Sequence, residues 1–163
     1  MLSALQKTFE HDQDGMYMRK PSSDAKLTRT GFWQAPSHYG AIMKPLLALL
    51  TMTAAEEITT DVIPAITELA AASSSSMDNH REMNSVLLKY MRSEDAHTRL
   101  ATVLCEQSLS KRLGEEWLGL LPEMLPFISE LREDDDEMVE RETQRWISAV
   151  EEILGEDLEG MLQ

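Results

Sequence analysis

The clearest hydrophobic pattern in the chain runs from Gly114 to Gly155, GEEWLGLLPEMLPFISELREDDDEMVERETQRWISAVEEILG. Trp117, Leu121, Met124, Ile128 and Leu131 recur at spacings of four, three, four and three, with Leu118 and Leu125 widening the stripe. That period predicts a helix with one buried face. After it, Val139, Trp146, Val150 and Ile153 form a second stripe flanked by Met138, Ile147 and Leu154, while Glu137, Arg141, Glu142 and Arg145 fill the polar side. Between the two predicted helices, Asp134, Asp135 and Asp136 stand where carboxylates accept bonds from the unpaired N–H groups of a helix start and meet the positive end of its dipole. Gly155 is placed to close the second helix in the left-handed conformation.

Upstream, Leu2, Leu5 and Phe9 predict a short helix, after which the pattern fails from His11 to Pro36. That stretch, with two glycines and Pro21, reads as an irregular connection carrying the basic cluster Arg19, Lys20, Lys26 and Arg29. Phe32 and Trp33 at its far end read as an anchor on the core or as a partner-docking pair. From Ser37 the periodicity returns. Ile42, Leu46, Leu49 and Leu50 mark one helix, and Ile58, Val62, Ile66 and Leu69 the next. Met83, Val86, Leu87 and Tyr90 mark a third, with Asp78 as its candidate cap. A fourth carries Ala101, Leu104, Cys105 and Ser108, is capped by Ser93 or Asp95, and ends at Gly114.

The helices fall into three pairs, 37–52 with 57–73, 78–91 with 95–112, and 116–131 with 136–154. Their second members begin about 40 residues apart, the period of HEAT-type helical repeats. The expected architecture is therefore all-α, an α-solenoid of HEAT-like helical repeats. Residues 1–36 form a short helix plus a basic connection, and residues 37–163 form the repeat array with an acidic C-terminal cap. Asp95, Arg99 and Ala101 take the places of a HEAT unit's inter-helix aspartate, basic residue and small residue, and Asp135 with Val139 opens the next unit. Glu140 then stands in the basic position, which suggests that Arg99 and Glu140 face each other across the junction. Pro45, Pro64, Pro122 and Pro126 fall inside predicted helices; Pro122 fits a first turn, and Pro126 predicts a bend.

Composition supports the helical reading. Seven glycines and six prolines are too few for the turns of an all-β chain of 163 residues. A single cysteine excludes an internal disulfide and fits a reducing compartment. No apolar run approaches the roughly 18 residues of a membrane span, so the chain reads as soluble with no membrane contact. The formal charge of −14 is concentrated: residues 1–113 carry 12 basic against 13 acidic side chains, and residues 114–163 carry 3 against 16. Such a surface repels phosphate, leaving a solvated face or a basic protein partner as its reading. Asp134, Asp135, Asp136, Glu137 and Glu140 are the candidate partner-binding acids there.

Catalytic and metal chemistry find little support. Glu10, Asp12, Asp14 and Gly15 imitate the start of a calcium loop, but Pro21 occupies the position that requires a bidentate glutamate. His11, His38, His80 and His97 lack metal-ligand spacing and read as surface or boundary residues, and Cys105 reads as a packed thiol. No phosphate loop or nucleophile elbow is present. The chain is expected to be no enzyme and to need no cofactor or metal.

The stretch LGEEWLGLLPEMLPFISELREDDDEMVE, with the closing ILGEDLEGMLQ, resembles the large nucleolar HEAT-repeat proteins of the U3-containing small-subunit processome, the tenth U3 small nucleolar RNA-associated protein family. Gly114, Glu115, Glu116, Leu121, Pro122, Glu123, Pro126, Phe127, Glu130, Leu131, Val139, Glu140, Gly155 and Glu156 carry the resemblance, which is good over residues 79–163 and looser before them. Asn84 and Phe9 also fit. It implies a C-terminal piece of a far longer protein, with Met1 an internal boundary. It also implies a non-catalytic scaffold acting in pre-ribosomal RNA transcription and processing, in the nucleus and nucleolus. Its partners would be other proteins of the same subcomplex. U3 small nucleolar RNA or pre-ribosomal RNA would be contacted indirectly, or through Arg19, Lys20, Lys26 and Arg29. The alternative from another class is a transport or phosphatase-type adaptor that binds basic peptides.

Overall fold

A computed structural model describes residues 36–52, 54–73 and 76–162, with side chains from Tyr39 onward. The basic cluster Arg19, Lys20, Lys26 and Arg29, the pair Phe32 and Trp33, and the calcium-loop imitation lie outside the described residues. Within the described residues every regular element is helical. Two compact units are present, the first ending at Met83 and the second beginning at Asn84.

In the first unit, α1 (Pro36–Ala48) closes in a 3-10 turn, Leu49–Thr51. Helix α2 begins at Ala55–Glu57, widens to a π-turn over Ile58–Val62 and continues as an α-helix over Ile63–Ala72. The widening precedes Pro64, whose ring would clash with the carbonyl four residues back in a regular helix. The N–H of Ile63 instead reaches back to the Ile58 carbonyl, and Pro64 starts the regular segment at a first-turn position. The Glu56 carbonyl, displaced from the regular ladder, accepts from the Thr59 and Thr60 hydroxyls at 2.9 and 3.0 Å. In α2, Ile58, Val62, Ile66 and Leu69 are buried as the periodicity predicts. In α1 and its closing turn Leu46 and Leu50 are buried as expected, but Ile42 and Leu49 are only half-buried, and Tyr39, Met43 and Leu47, which the stripe left out, are buried instead.

Helix α3 (Met77–Met91) is entered through Ser76, whose hydroxyl accepts from the Asn79 N–H at 3.3 Å, so Ser76 takes the capping place expected for Asp78. The surface reading of His80 fails: its side chain is fully buried, with Nε2 2.9 Å from the Ala70 carbonyl. That carbonyl belongs to the last turn of α2 and also accepts from the N–H and hydroxyl of Ser73, so the buried imidazole joins the bonds that close the helix.

In the second unit, α4 (Ala96–Leu113) and α7 (Glu137–Leu154) pack along their lengths, with α5 (Glu115–Leu118) and α6 (Leu121–Leu131) between them in sequence. The helix expected over 116–131 is broken at Gly119 and Leu120. Leu120 leaves helical geometry at φ −92° and ψ 2° with its side chain fully buried. The break lets Pro122 fall in the first turn of α6, where its missing N–H costs nothing. Pro126 lies inside α6. Gly114, at φ 59° and ψ −135°, joins α4 to α5 in a conformation only glycine adopts readily, and Gly155 closes α7 in the left-handed region at φ 73°.

After Gly155 the chain folds back. The buried side chains of Leu158 and Leu162 tuck in, the Leu158 N–H donates to Glu151 Oε1 at 2.9 Å, and the Ser129 hydroxyl donates to the Leu162 carbonyl at 2.8 Å. The returning residues are thus tied to α7 through Leu158 and to α6 through Leu162, and both leucines are buried.

Candidate interaction surface

Of the three successive aspartates in the acidic turn between α6 and α7, two have structural jobs. Asp136 is the cap of α7: its extended backbone, φ −90° and ψ 119°, turns Oδ1 onto the N–H groups of Met138 and Val139 at 3.0 and 3.1 Å. Asp134 accepts from the Asp136 N–H at 2.9 Å, which shapes the turn. Asp135 is exposed.

The start of α4 repeats the device about 40 residues earlier. Asp95, at φ −85° and ψ 115°, accepts from the His97 N–H at 3.3 Å and from the Thr98 hydroxyl at 2.9 Å. The Thr98 hydroxyl bond, with the two backbone donors, holds the Asp95 carboxyl below its ordinary range. One turn on, Thr102 bonds the Thr98 carbonyl at 2.8 Å, and in α7 Thr143 bonds the Val139 carbonyl at 2.7 Å. Asp136, and not Asp135, is therefore the counterpart of Asp95.

Arg99 joins the two starts. Its Nε and Nη2 donate to the two oxygens of Asp134 at 2.9 and 3.0 Å, and Nη1 donates to the Ser93 and Glu94 carbonyls at 2.9 and 3.2 Å. The hydrogen bond to Asp134 and the neighbouring aspartates raise the guanidinium's pKa. This corrects the expectation that Arg99 faces Glu140. The carboxylate it meets is in the turn, because a guanidinium bonded to Ser93 and Glu94 is held at the start of α4, beside the residues preceding α7. Glu140 is exposed, as are Asp135 and Glu137.

A second cross-link ties the residue that follows α3 to α6. Arg92 forks onto Glu130 at 2.7 and 3.0 Å and lies over the Phe127 ring, 4.1 Å from its centre. The hydrogen bond from Arg92 draws the Glu130 carboxyl below its ordinary range.

Periodicity passed over Glu106. It is fully buried on α4, its Oε2 accepts from Trp117 Nε1 at 2.9 Å, and its Oε1 has no partner. Burial pushes its carboxyl up to about 8, against the opposing pull of the tryptophan N–H. The only signal in the sequence was its place one residue after buried Cys105, on a stripe where an acid is unexpected. Cys105 is buried as expected, and burial raises its thiol. No group of histidine, cysteine, aspartate or glutamate side chains able to hold a metal ion occurs among the described residues. None of the described helices is long and apolar enough to cross a membrane.

No protein-family model matches the chain. Curated relatives match it along its whole length, including the first 78 residues where the resemblance by motif was loose. It is 69% identical over 163 residues to the U3 small nucleolar RNA-associated protein 10 of Phaeosphaeria nodorum, covering 100% of this chain and 9% of that protein. The protein of the same name from Neurospora crassa is 52% identical over 164 residues, covering 100% and 8%. That of Neosartorya fischeri is 49% identical over 173 residues, covering 97% and 10%. The chain, spanning no more than 10% of these relatives' lengths, belongs as a segment to the family of U3 small nucleolar RNA-associated protein 10.

Proposed function

We propose that this chain is a non-catalytic scaffold segment of a ribosome-biogenesis factor, working in the nucleolus by holding proteins of the U3-containing small-subunit processome together. The observation that carries this reading is the match along all of its 163 residues, at 69% identity, to a protein named for its association with U3 small nucleolar RNA. The helical repeats supply the mechanism: apolar stripes hold helix against helix, and the outward faces are left for partners. Of the five acids proposed for partner contact, Asp134 and Asp136 are occupied by Arg99 and the α7 start, so Asp135, Glu137 and Glu140 are the ones available to a basic partner. Contact with U3 or pre-ribosomal RNA is indirect in this reading, because the acidic residues of 114–163 repel phosphate.

The test is affinity capture with the tagged chain from nucleolar extract treated with ribonuclease. Recovery of processome proteins is the expected result, reduced when Asp135, Glu137 and Glu140 are changed to lysine. Recovery of import cargo or phosphatase subunits without processome proteins would establish the adaptor reading in its place.

A further inference from the structure

We propose that the groove between α4 and α7 in the second unit binds an acidic segment of a partner protein. The groove is about 510 Å³ and is lined by Gln107 and Lys111 from α4 and by Arg141, Gln144, Arg145 and Glu152, among others, from α7. This is a concentration of positive charge where little is available. Residues 114–163 hold three basic side chains against 16 acidic ones, and two of the three line this groove.

Pairing sharpens the point. In the second unit Arg92, Arg99, Arg132 and Arg145 each hold a carboxylate. Lys111 and Arg141 are exposed and hold none among the described residues, and they stand on opposite walls of the same groove. One acid, Glu152, lines the groove itself, and the neighbouring acid Glu142 is already satisfied. The Glu142 carboxylate, almost fully buried, accepts from Gln107 Nε2 at 2.9 Å on one oxygen and from Arg145 at 3.0 Å on the other. Gln107 also bonds the Glu142 backbone carbonyl at 2.8 Å, which fixes this neutralised floor across the two helices. Lys111 and Arg141, beside it, form no ion pair among the described residues of a chain of net charge −14.

The lining chooses between anions. A phosphodiester chain offers oxygens that only accept, and its charges continue past any short groove into the exposed carboxylates of Glu137 and Glu140. A peptide segment offers side-chain carboxylates to Lys111 and Arg141, and its backbone presents both donors and acceptors. Gln144 has an amide able to answer either, and the Glu152 carboxylate in the lining is able to accept from a peptide N–H. Arg141 and Arg145 stand one turn apart on α7, matching carboxylates one turn apart on a partner helix or two residues apart on an extended strand. This inference rests on the reading of the chain as an assembly surface but names a different face and the opposite charge of partner from the acidic turn.

The test uses the purified full chain and a fluorescein-labelled dodecapeptide of three Glu-Leu-Glu-Gly repeats, followed by anisotropy at low salt. Its result stands whichever proteins the extract experiment returns. Saturable binding is expected, weakened at least tenfold by Lys111→Glu with Arg141→Glu and about threefold by Lys111→Ala or Arg141→Ala alone, with Lys89→Glu on α3 leaving it unchanged. Far-UV circular dichroism checks that the variants are folded, and the single alanine variants decide the matter if the double variant is not. Failure of the wild-type chain to bind, binding indifferent to Lys111 and Arg141, or equal binding of the peptide with glutamine for glutamate would each overturn the proposal. A uridine dodecamer bound as tightly as the peptide would also overturn it, identifying the groove as a phosphate site.

Discussion

Glu106 shows how one buried carboxyl governs the chain's response to pH. Its partner Trp117 serves only one oxygen, and burial makes the neutral form the stable one in the fold, with a pKa pushed up to about 8. In the unfolded chain the same group ionises near 4.5, so between these values the native state binds the extra proton and stability falls as pH rises. The effect saturates above pH 8, and the total at stake is up to about 5 kcal/mol. Replacing Glu106 by Gln keeps an acceptor for the indole N–H and removes the charge. Urea denaturation at pH 5, 7 and 9 is expected to show the wild type weakening across the series and the variant nearly flat, gaining at least about 2 kcal/mol at pH 9. A wild type as stable at pH 9 as at pH 5 would mean that water reaches Oε1.

The two second helices of the repeat begin on the same design, an aspartate cap followed by a threonine bonded back onto the preceding turn. Arg99 connects them. Its pair with Asp134 is mostly shielded from water, and removing the acid leaves a guanidinium with two carbonyl partners but no counter-ion. Asp134→Ala is expected to cost about 2 kcal/mol. A double-mutant cycle with Arg99→Met should give a coupling of about 1 to 2 kcal/mol, whereas Glu140→Ala should stay within about 0.5 kcal/mol. Thermal denaturation of the four proteins measures both. Much of this was legible in the chain: Asp95, Gly114 and Gly155 mark helix ends by chemistry that acts locally, and Trp117, Met124, Val139 and Trp146 are buried as their spacing requires. What stayed hidden depends on partners distant in sequence. His80 answers a carbonyl ten residues back, Arg99 reaches 35 residues forward, and Glu106 hides on an apolar face under an indole. The groove was hidden likewise, since Lys111 and Arg141 become neighbours only once α4 lies against α7.

At the scale of the whole molecule, the residues beyond α7 in the second unit fold back onto Glu151 and Ser129, and this has a consequence for motion. An exposed helix end opens and closes without disturbing the rest, so its amides normally exchange with solvent early. Here the last turn is bonded through Glu151 to the buried Leu158, and buried Leu162 is held to Ser129 of α6, so opening that turn disturbs the returning residues. Burial of two leucines is worth about 3 kcal/mol at the least, so the final amides of α7 become part of the slow-exchanging body. Hydrogen–deuterium exchange followed by mass spectrometry should find residues 151–155 protected nearly as well as 143–147. Leu158→Ala with Leu162→Ala should speed exchange in the first segment at least tenfold and leave the second unchanged. Rapid exchange of 151–155 in the unaltered chain would show that the returning residues lie loose. Protection there would make these seven residues, 156–162, a clasp whose release sets when the end of α7 becomes accessible.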